Sequence, residues 1–181
     1  METKNLSLVA LTPEQLRTLM TDAALYEQRH GLRLADGIKD FAASGEISPE
    51  YLAQLQAATE ADPWKHGFAV VHRADNLMIG MCGYKGPPGT DGVVEIAYGI
   101  APGYQGRGYA TEAAQALIAY AFGSGRVRTV RAHTLPEVNP STRVLEKCGF
   151  KCLGKVIDPE DGVVWRWEKT EIGESGADPK Q

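Results

Sequence analysis

GYQGRGYATEA, residues 103–113, places three glycines and an arginine in its first six positions and runs straight into the helix-forming stretch ATEAAQALIAYAF, 110–122. Glycine loses more backbone freedom on ordering than any other residue, so its concentration at a helix start needs a physical reason. Small residues at 106, 108 and 110 leave backbone N–H groups unobstructed. The first N–H groups of a helix lack intrahelical partners and lie at the positive end of the macrodipole, which favours an anion there. Arg107 adds a guanidinium suited to phosphate oxygens. The pattern fits a diphosphate site that needs no metal; a glycine-rich turn without ligand is the alternative. A Walker loop would place Lys and Ser/Thr after the last glycine, where Tyr109 and Ala110 stand. A dinucleotide fingerprint would place a third glycine at Thr111 and an acidic residue about twenty positions on, where the chain reads Arg126, Val127, Arg128.

Before the glycines, VVEIAYGIA (93–101) is a strand rich in apolar residues on both faces, which predicts burial on both. GFAVVHR (67–73) and NLMIGMCGYK (76–85) alternate with period two and predict a strand pair turning at Ala74-Asp75-Asn76, followed by a turn at 86–92. After the glycines, RVRTVRAHTL (126–135) reads as a strand. NPSTRVLEKCGF (139–150) reads as a short helix with Asn139 as cap, Pro140 in the first turn and Gly149 as stop. FKCLGKV (150–156) and GVVWRWEK (162–169) predict a closing hairpin. At the front, LSLVAL (6–11) is a strand and Thr12-Pro13-Glu14-Gln15 a capping box opening one helix that ends at Gly31. Leu16, Leu19, Met20 and Ala23 share a face of that helix. Ser48-Pro49 starts a second helix and Asp62-Pro63 ends it.

The chain has 181 residues, 43% hydrophobic and 23% charged, with a net charge of −4. That suits one soluble α/β domain over 1–169, with a polar tail at 170–181 expected to be mobile. The acidic balance argues against a general nucleic-acid binder. No apolar run approaches the roughly 20 residues that span a bilayer, and the N-terminus lacks a secretory pattern, so a cytoplasmic place is expected without membrane association. Cys82, Cys148 and Cys152 are expected as reduced structural thiols, and the scattered His30, His66, His72 and His133 suggest no metal site.

Gln105-Gly106-Arg107-Gly108-Tyr109-Ala110 resembles the acetyl-CoA pyrophosphate motif of the GNAT N-acetyltransferases, Gln/Arg-x-x-Gly-x-Gly/Ala. NPSTRVLEKCGF resembles the late helix of the branch containing the ribosomal-protein alanine acetyltransferases. The likeness covers roughly 67–169 as the CoA-binding core, and 12–62 corresponds to the helices with which that family builds its acceptor side. It implies a mixed, mostly antiparallel sheet of about seven strands with about four helices, splayed where acetyl-CoA binds. It implies an N-acetyltransferase that uses acetyl-CoA and an amine acceptor and works as a monomer or homodimer.

Amine acetylation requires a deprotonated amine, a held thioester oxygen and a departing thiolate. A lysine amine, with pKa about 10.4, is almost wholly protonated at neutral pH, whereas an α-amine near 8 is easier to use; a general base helps either. Glu95, mid-strand among Val93, Val94, Ile96 and Ala97, is the base candidate; desolvation there would raise its pKa. The resemblance places a catalytic glutamate at this position, acting through a water. A structural pairing of Glu95 with Arg128 or Arg131 is the alternative. The family likeness puts an oxyanion-holding N–H near Ile100, where the strand leaves its neighbour at Ala101-Pro102, and lays the pantetheine arm beside Tyr98 to Ala101. It puts the diphosphate on Gln105 to Thr111 and a further contact on Asn139. Many relatives use a tyrosine on the late helix as general acid; counting back from Gly149-Phe150, that position is Leu145. Ser141 is the substitute candidate, with capping its alternative duty. Trp64 is either an acceptor-pocket wall or a staple for the helix end. Trp165 and Trp167 share a face for core packing or a dimer contact. Asp36, Asp40, Glu46, Glu50 and Glu60 form an acidic set able to attract a cationic acceptor, and Gly37 and Gly45 allow a mobile loop beside it.

Overall fold

The computed structural model describes residues 1–38, 40, 49–159 and 161–171, with backbone alone at 49–52. Its strands are β1 (Leu6–Ala10), β2 (Arg33–Leu34), β3 (Phe68–His72), β4 (Leu77–Tyr84), β5 (Val93–Ile100), β6 (Thr129–Thr134), β7 (Lys151–Asp158) and β8 (Gly162–Thr170). Its helices are α1 (Pro13–Thr21), α2 (Ala23–His30), α3 (Pro49–Ala57), α4 (Pro63–His66), α5 (Tyr109–Gly123) and α6 (Pro140–Lys147), with a 3₁₀ turn at Pro102–Tyr104. Gly45, Glu46, Ser48 and the tail beyond Glu171 lie outside the described residues, as does the side chain of Glu50.

The strands form one mixed sheet in the order β1-β3-β4-β5-β6-β8-β7, with β2 beside β4. All pairings are antiparallel except β5 with β6 and β2 with β4. The expected seven strands are all present; β2 is the addition, two residues too short to show a period.

The capping box forms as spaced: Thr12 Oγ1 accepts from the Gln15 N–H at 3.1 Å and Gln15 Oε1 from the Thr12 N–H at 2.9 Å. The single helix expected after it is two. Asp22 breaks it with an extended backbone, donating its N–H to Thr18 O while its Oδ1 accepts from the Leu25 N–H at 2.9 Å. An aspartate that competes for backbone groups favours a cap over a helix interior. Asp62-Pro63 likewise begins α4 instead of ending a helix, because Asp62 Oδ1 accepts from the Trp64 N–H at 3.0 Å. Asp-Pro serves here as cap and first-turn residue.

Helix α5 lies on the sheet through Ala113, Ala114, Leu117 and Ala121, all fully buried. The alanines permit close approach, and Leu117 contributes about 1.5–3 kcal/mol by leaving water. Tyr84 Oη donates to Leu117 O at 2.6 Å, tying β4 to α5. Trp64 packs with ring centroids 4.5 Å from Tyr84 and 5.4 Å from Tyr120, so it is a core anchor. Trp167 is buried with Nε1 donating to Thr134 Oγ1 at 3.0 Å, and Trp165 packs partly buried against the same core.

One burial expectation fails, and the failure locates the site. Val94 and Ile96 of β5 are buried, but Ala97 is exposed and Glu95 only partly covered. Among the described residues no helix covers that face; it floors a cavity.

Candidate active site

Strand β5 keeps its β4 partner from Tyr84↔Ile96 to Gly80↔Ile100 but accompanies β6 only from Val93↔Thr129 to Glu95↔Arg131. The sheet therefore opens on the β6 side after Glu95. It does not open on the β4 side at Ala101, where the Ala101 N–H still donates to Ile79 O at 2.7 Å. Lys85 N–H likewise donates to Glu95 O at 2.9 Å, so odd-numbered peptide groups of β5 face β4. Alternation turns the peptide groups of Ile96, Tyr98 and Ile100 toward the gap. Gln105 Nε2 donates to Ile100 O at 2.8 Å and leaves the Ile100 N–H as the donor at that point.

Gly106 and Gly108 sit at φ 74° and 87°, and Gly108 caps α5 in the left-handed region without any side-chain cap. A Cβ at either would meet nothing within 4 Å, so steric room is not why they are glycine. The left-handed backbone is the reason, because an L side chain there costs about 1–2 kcal/mol. The first-turn N–H groups of α5 are consequently left for a ligand. Behind the loop, Tyr109 Oη lies 2.9 Å from His72 Nε2, Tyr104 Oη donates to Asp75 Oδ2 at 2.8 Å, and His72 Nδ1 lies 3.0 Å from the same carboxylate oxygen. These contacts fasten the glycine loop to the β3–β4 turn and were not anticipated from sequence.

The loop forms one wall of a cleft of about 840 Å³. Tyr98, Ile100, Gln105, Gly106, Gly108, Tyr109, Ala110 and Thr111 line it on the β5–α5 side, and Asn139, Ser141, Arg143 and Lys147 on the α6 side. Of the candidate cofactor residues, Ala101 is buried behind the cleft and Arg107 is not part of its lining. The Arg107 guanidinium stands 5.4 Å over the Tyr104 ring. On α6, Asn139 Oδ1 accepts from the Thr142 N–H at 3.0 Å and Thr142 Oγ1 from the Asn139 N–H at 3.1 Å. That box performs the capping, so Ser141 is not the cap. Leu145 is fully buried and does not line the cleft. Tyr98 Oη donates to Ser141 O at 3.4 Å, and burial, aided by Cys148, pushes its hydroxyl pKa well up, keeping it protonated.

A second cavity, of about 340 Å³, shares Tyr98, His133, Thr134, Leu135 and Ser141 with the cleft and adds Lys85, Glu95 and Asp161. None of 12–62 lines it among the described residues, and the acids beside it are not the N-terminal set. Glu95 pairs with neither arginine considered for it. Its Oε1 lies 3.0 Å from Lys85 Nζ and 3.1 Å from His133 Nδ1. Register explains this: Arg131 is opposite Glu168 across β6–β8 and bonds that carboxylate at 2.7 and 2.8 Å. His133, two residues along the same face, meets Glu95 instead. Burial works against the Lys85 charge, but the hydrogen bond to Glu95 and the carboxylates of Glu95, Asp161 and Asp158 hold its ammonium above the ordinary lysine value. Both contacts fall on Oε1; Oε2 has no hydrogen bond or ion pair to another described residue.

A family model described as an acetyltransferase (GNAT) domain matches residues 6–151. The chain belongs to that family. The uncharacterized N-acetyltransferase p20 of Bacillus licheniformis is 32% identical to this GNAT-family chain over 93 residues, 51% of this chain and 52% of p20. The chain thus spans about half the length of the curated relatives it matches. The ribosomal-protein-S5-alanine acetyltransferase from Vibrio fischeri superposes with a TM-score of 0.64 over 96% of this chain and 97% of its own, at 16% identity. RimL, a ribosomal L7/L12 α-N-protein acetyltransferase solved in complex with coenzyme A, superposes at 0.62 over 93% and 95%, at 14% identity. At these identities the likeness carries the fold alone. GNAT enzymes use acetyl-CoA as acetyl donor.

Proposed function

We propose that this acetyltransferase moves the acetyl group of acetyl-CoA directly to a primary amine, on a protein N-terminus or a small molecule, within a ternary complex. The carrying observation is the junction of two cavities of different chemistry. The larger cleft has a helix N-terminus on one wall and no Asp or Glu in its lining; the smaller holds the Glu95 carboxylate; five residues belong to both. One domain over 1–169 performs the reaction, without a metal.

The residues present fit the cofactor. The N–H groups from Gly106 to Thr111 would hold its diphosphate, with Gln105 beside them in the lining. The open edge of β5 from Tyr98 to Ile100 would pair with its amide-bearing arm as an added strand, and Asn139 would touch the arm from α6. Bound there, acetyl-CoA supplies an activated acyl carbon and a thiol leaving group. The Ile100 N–H donates to the thioester oxygen as charge gathers on it. Glu95 Oε2 takes the proton from the acceptor ammonium through a water, while Lys85 and His133 fix the carboxylate through Oε1. Ser141, in the first turn of α6, supplies a hydroxyl and the positive end of that helix to the departing sulfur, since Leu145 offers no tyrosine.

The test is CoA release from acetyl-CoA with a panel of primary amines. Turnover should occur with at least one amine, and Glu95→Gln should lower kcat about 10²–10⁴-fold with CoA affinity retained. Unchanged kcat would remove Glu95 from the reaction. The buried Leu145 favours one other reading, a weakly catalytic acyl-CoA-sensing module; affinity without turnover across the whole panel would establish it.

A further inference from the structure

The chain carries more acidic than basic residues, 23 against 19, yet the lining of its larger cleft contains no Asp or Glu and two cations, Arg143 and Lys147. They stand four residues apart on α6, hence on one helix face. Both are exposed, and neither forms an ion pair with a described carboxylate. Across the cleft are the N–H groups of the glycine loop. The cleft thus offers two separate anion-holding walls, one of backbone amides and one of side-chain cations. A ligand carrying a single diphosphate would use the first and leave the second idle.

The geometry points to Arg143 and Lys147 as the subsite for a phosphomonoester on the nucleotide end of the donor, its 3′-phosphate. This rests on the acetyl-CoA reading above and extends it: the pair makes the cleft select a 3′-phosphorylated nucleotide thiol over the same molecule without that phosphate. Arg107, the cation the sequence offers for phosphate, is drawn toward Tyr104 and does not line the cleft. The cations that do line it lie 36 and 40 positions further along the chain. A phosphomonoester carries more negative charge than either diphosphate oxygen group, and Arg presents a fork of donors to it where Lys presents a point charge.

The test is calorimetric titration of the full chain with CoA and with 3′-dephospho-CoA, for the wild type, Arg143→Gln, Lys147→Gln and the double variant. Glutamine keeps helix propensity, and both positions are exposed, so α6 should persist by circular dichroism. The wild type should prefer CoA about tenfold or more, with the preference eroding as salt rises. Each single variant should lose part of the preference and the double variant all of it, while affinity for dephospho-CoA stays within about threefold. Equal wild-type affinity for the two ligands would overturn the proposal. So would a double variant that weakens both ligands alike, which would put these side chains on the base or the diphosphate. Wild type binding neither ligand would fail at the earlier step and sink the acetyl-CoA reading itself.

Discussion

Gly108→Glu tests the diphosphate site with the least disturbance elsewhere. Gly108 has φ 87°, and a Cβ built there meets no atom within 4 Å. The substitution therefore forces no clash; it asks a non-glycine residue to hold a left-handed backbone, at about 1–2 kcal/mol. A carboxylate beside the uncapped first turn of α5 returns about 0.3–1 kcal/mol by favourable interaction with the helix end. At about 2–4 °C per kcal/mol for a domain of this size, the melting temperature should fall by only a few degrees. The ligand meets a different balance. A carboxylate held about 4 Å from a diphosphate oxygen repels it by about 4 kcal/mol at the effective dielectric of a protein surface. That is nearly three powers of ten in Kd, and the same carboxylate occupies the N–H groups the ligand needs. Titration with CoA, beside thermal unfolding, reads both quantities. Gly108→Ala is the companion variant: it carries the same backbone strain without the charge and should keep CoA affinity within about tenfold. Binding by Gly108→Glu within about threefold of the wild type would refute the amide nest as the diphosphate site. An equal loss in Gly108→Ala would show that backbone strain, not charge, controls binding.

Glu112 contributes to stability against acid. Burial opposes its ionisation, but hydrogen bonds from Asn5 and Thr3 win and hold its carboxyl below the ordinary 4.5. A depressed folded pKa contributes stability that is present above the unfolded value and lost as pH falls through the folded one. Urea unfolding from pH 7 to pH 3 should show a flatter acid limb for Glu112→Gln than for the wild type, and parallel limbs would contradict the assignment. Leu117→Ala, at a fully buried position under α5, should destabilise by about 2–5 kcal/mol; less than about 1 kcal/mol would mean that α5 does not seal the core. The native protein should expose one fast thiol to Ellman's reagent, that of Cys152. Burial pushes the Cys82 thiol up to about 12 and raises that of Cys148, so both should react only on unfolding.

What was legible beforehand follows the range of the forces involved. The Thr12 and Asn139 caps, the β3–β4 and β7–β8 hairpins, α5 and the glycine loop were all readable, because each depends on residues within a few positions of one another. Asp22 and Asp62 were misread although their caps are local, since an aspartate ends one helix or begins another according to where the neighbouring segments pack.

From the amino-acid order alone came an α/β chain with a glycine loop at the start of α5 and a carboxylate on the strand before it. Tertiary structure decided everything that depends on register between distant strands. It set Glu95 against Lys85 of the segment after β4 and His133 of β6, the latter 38 positions away, while Glu168 took Arg131. It opened β5 on the β6 side, and it brought Arg143 and Lys147 into the cleft in place of Arg107. A side chain's neighbours across a sheet are fixed by strand pairing and twist, which the whole core selects together; no window of sequence contains that information.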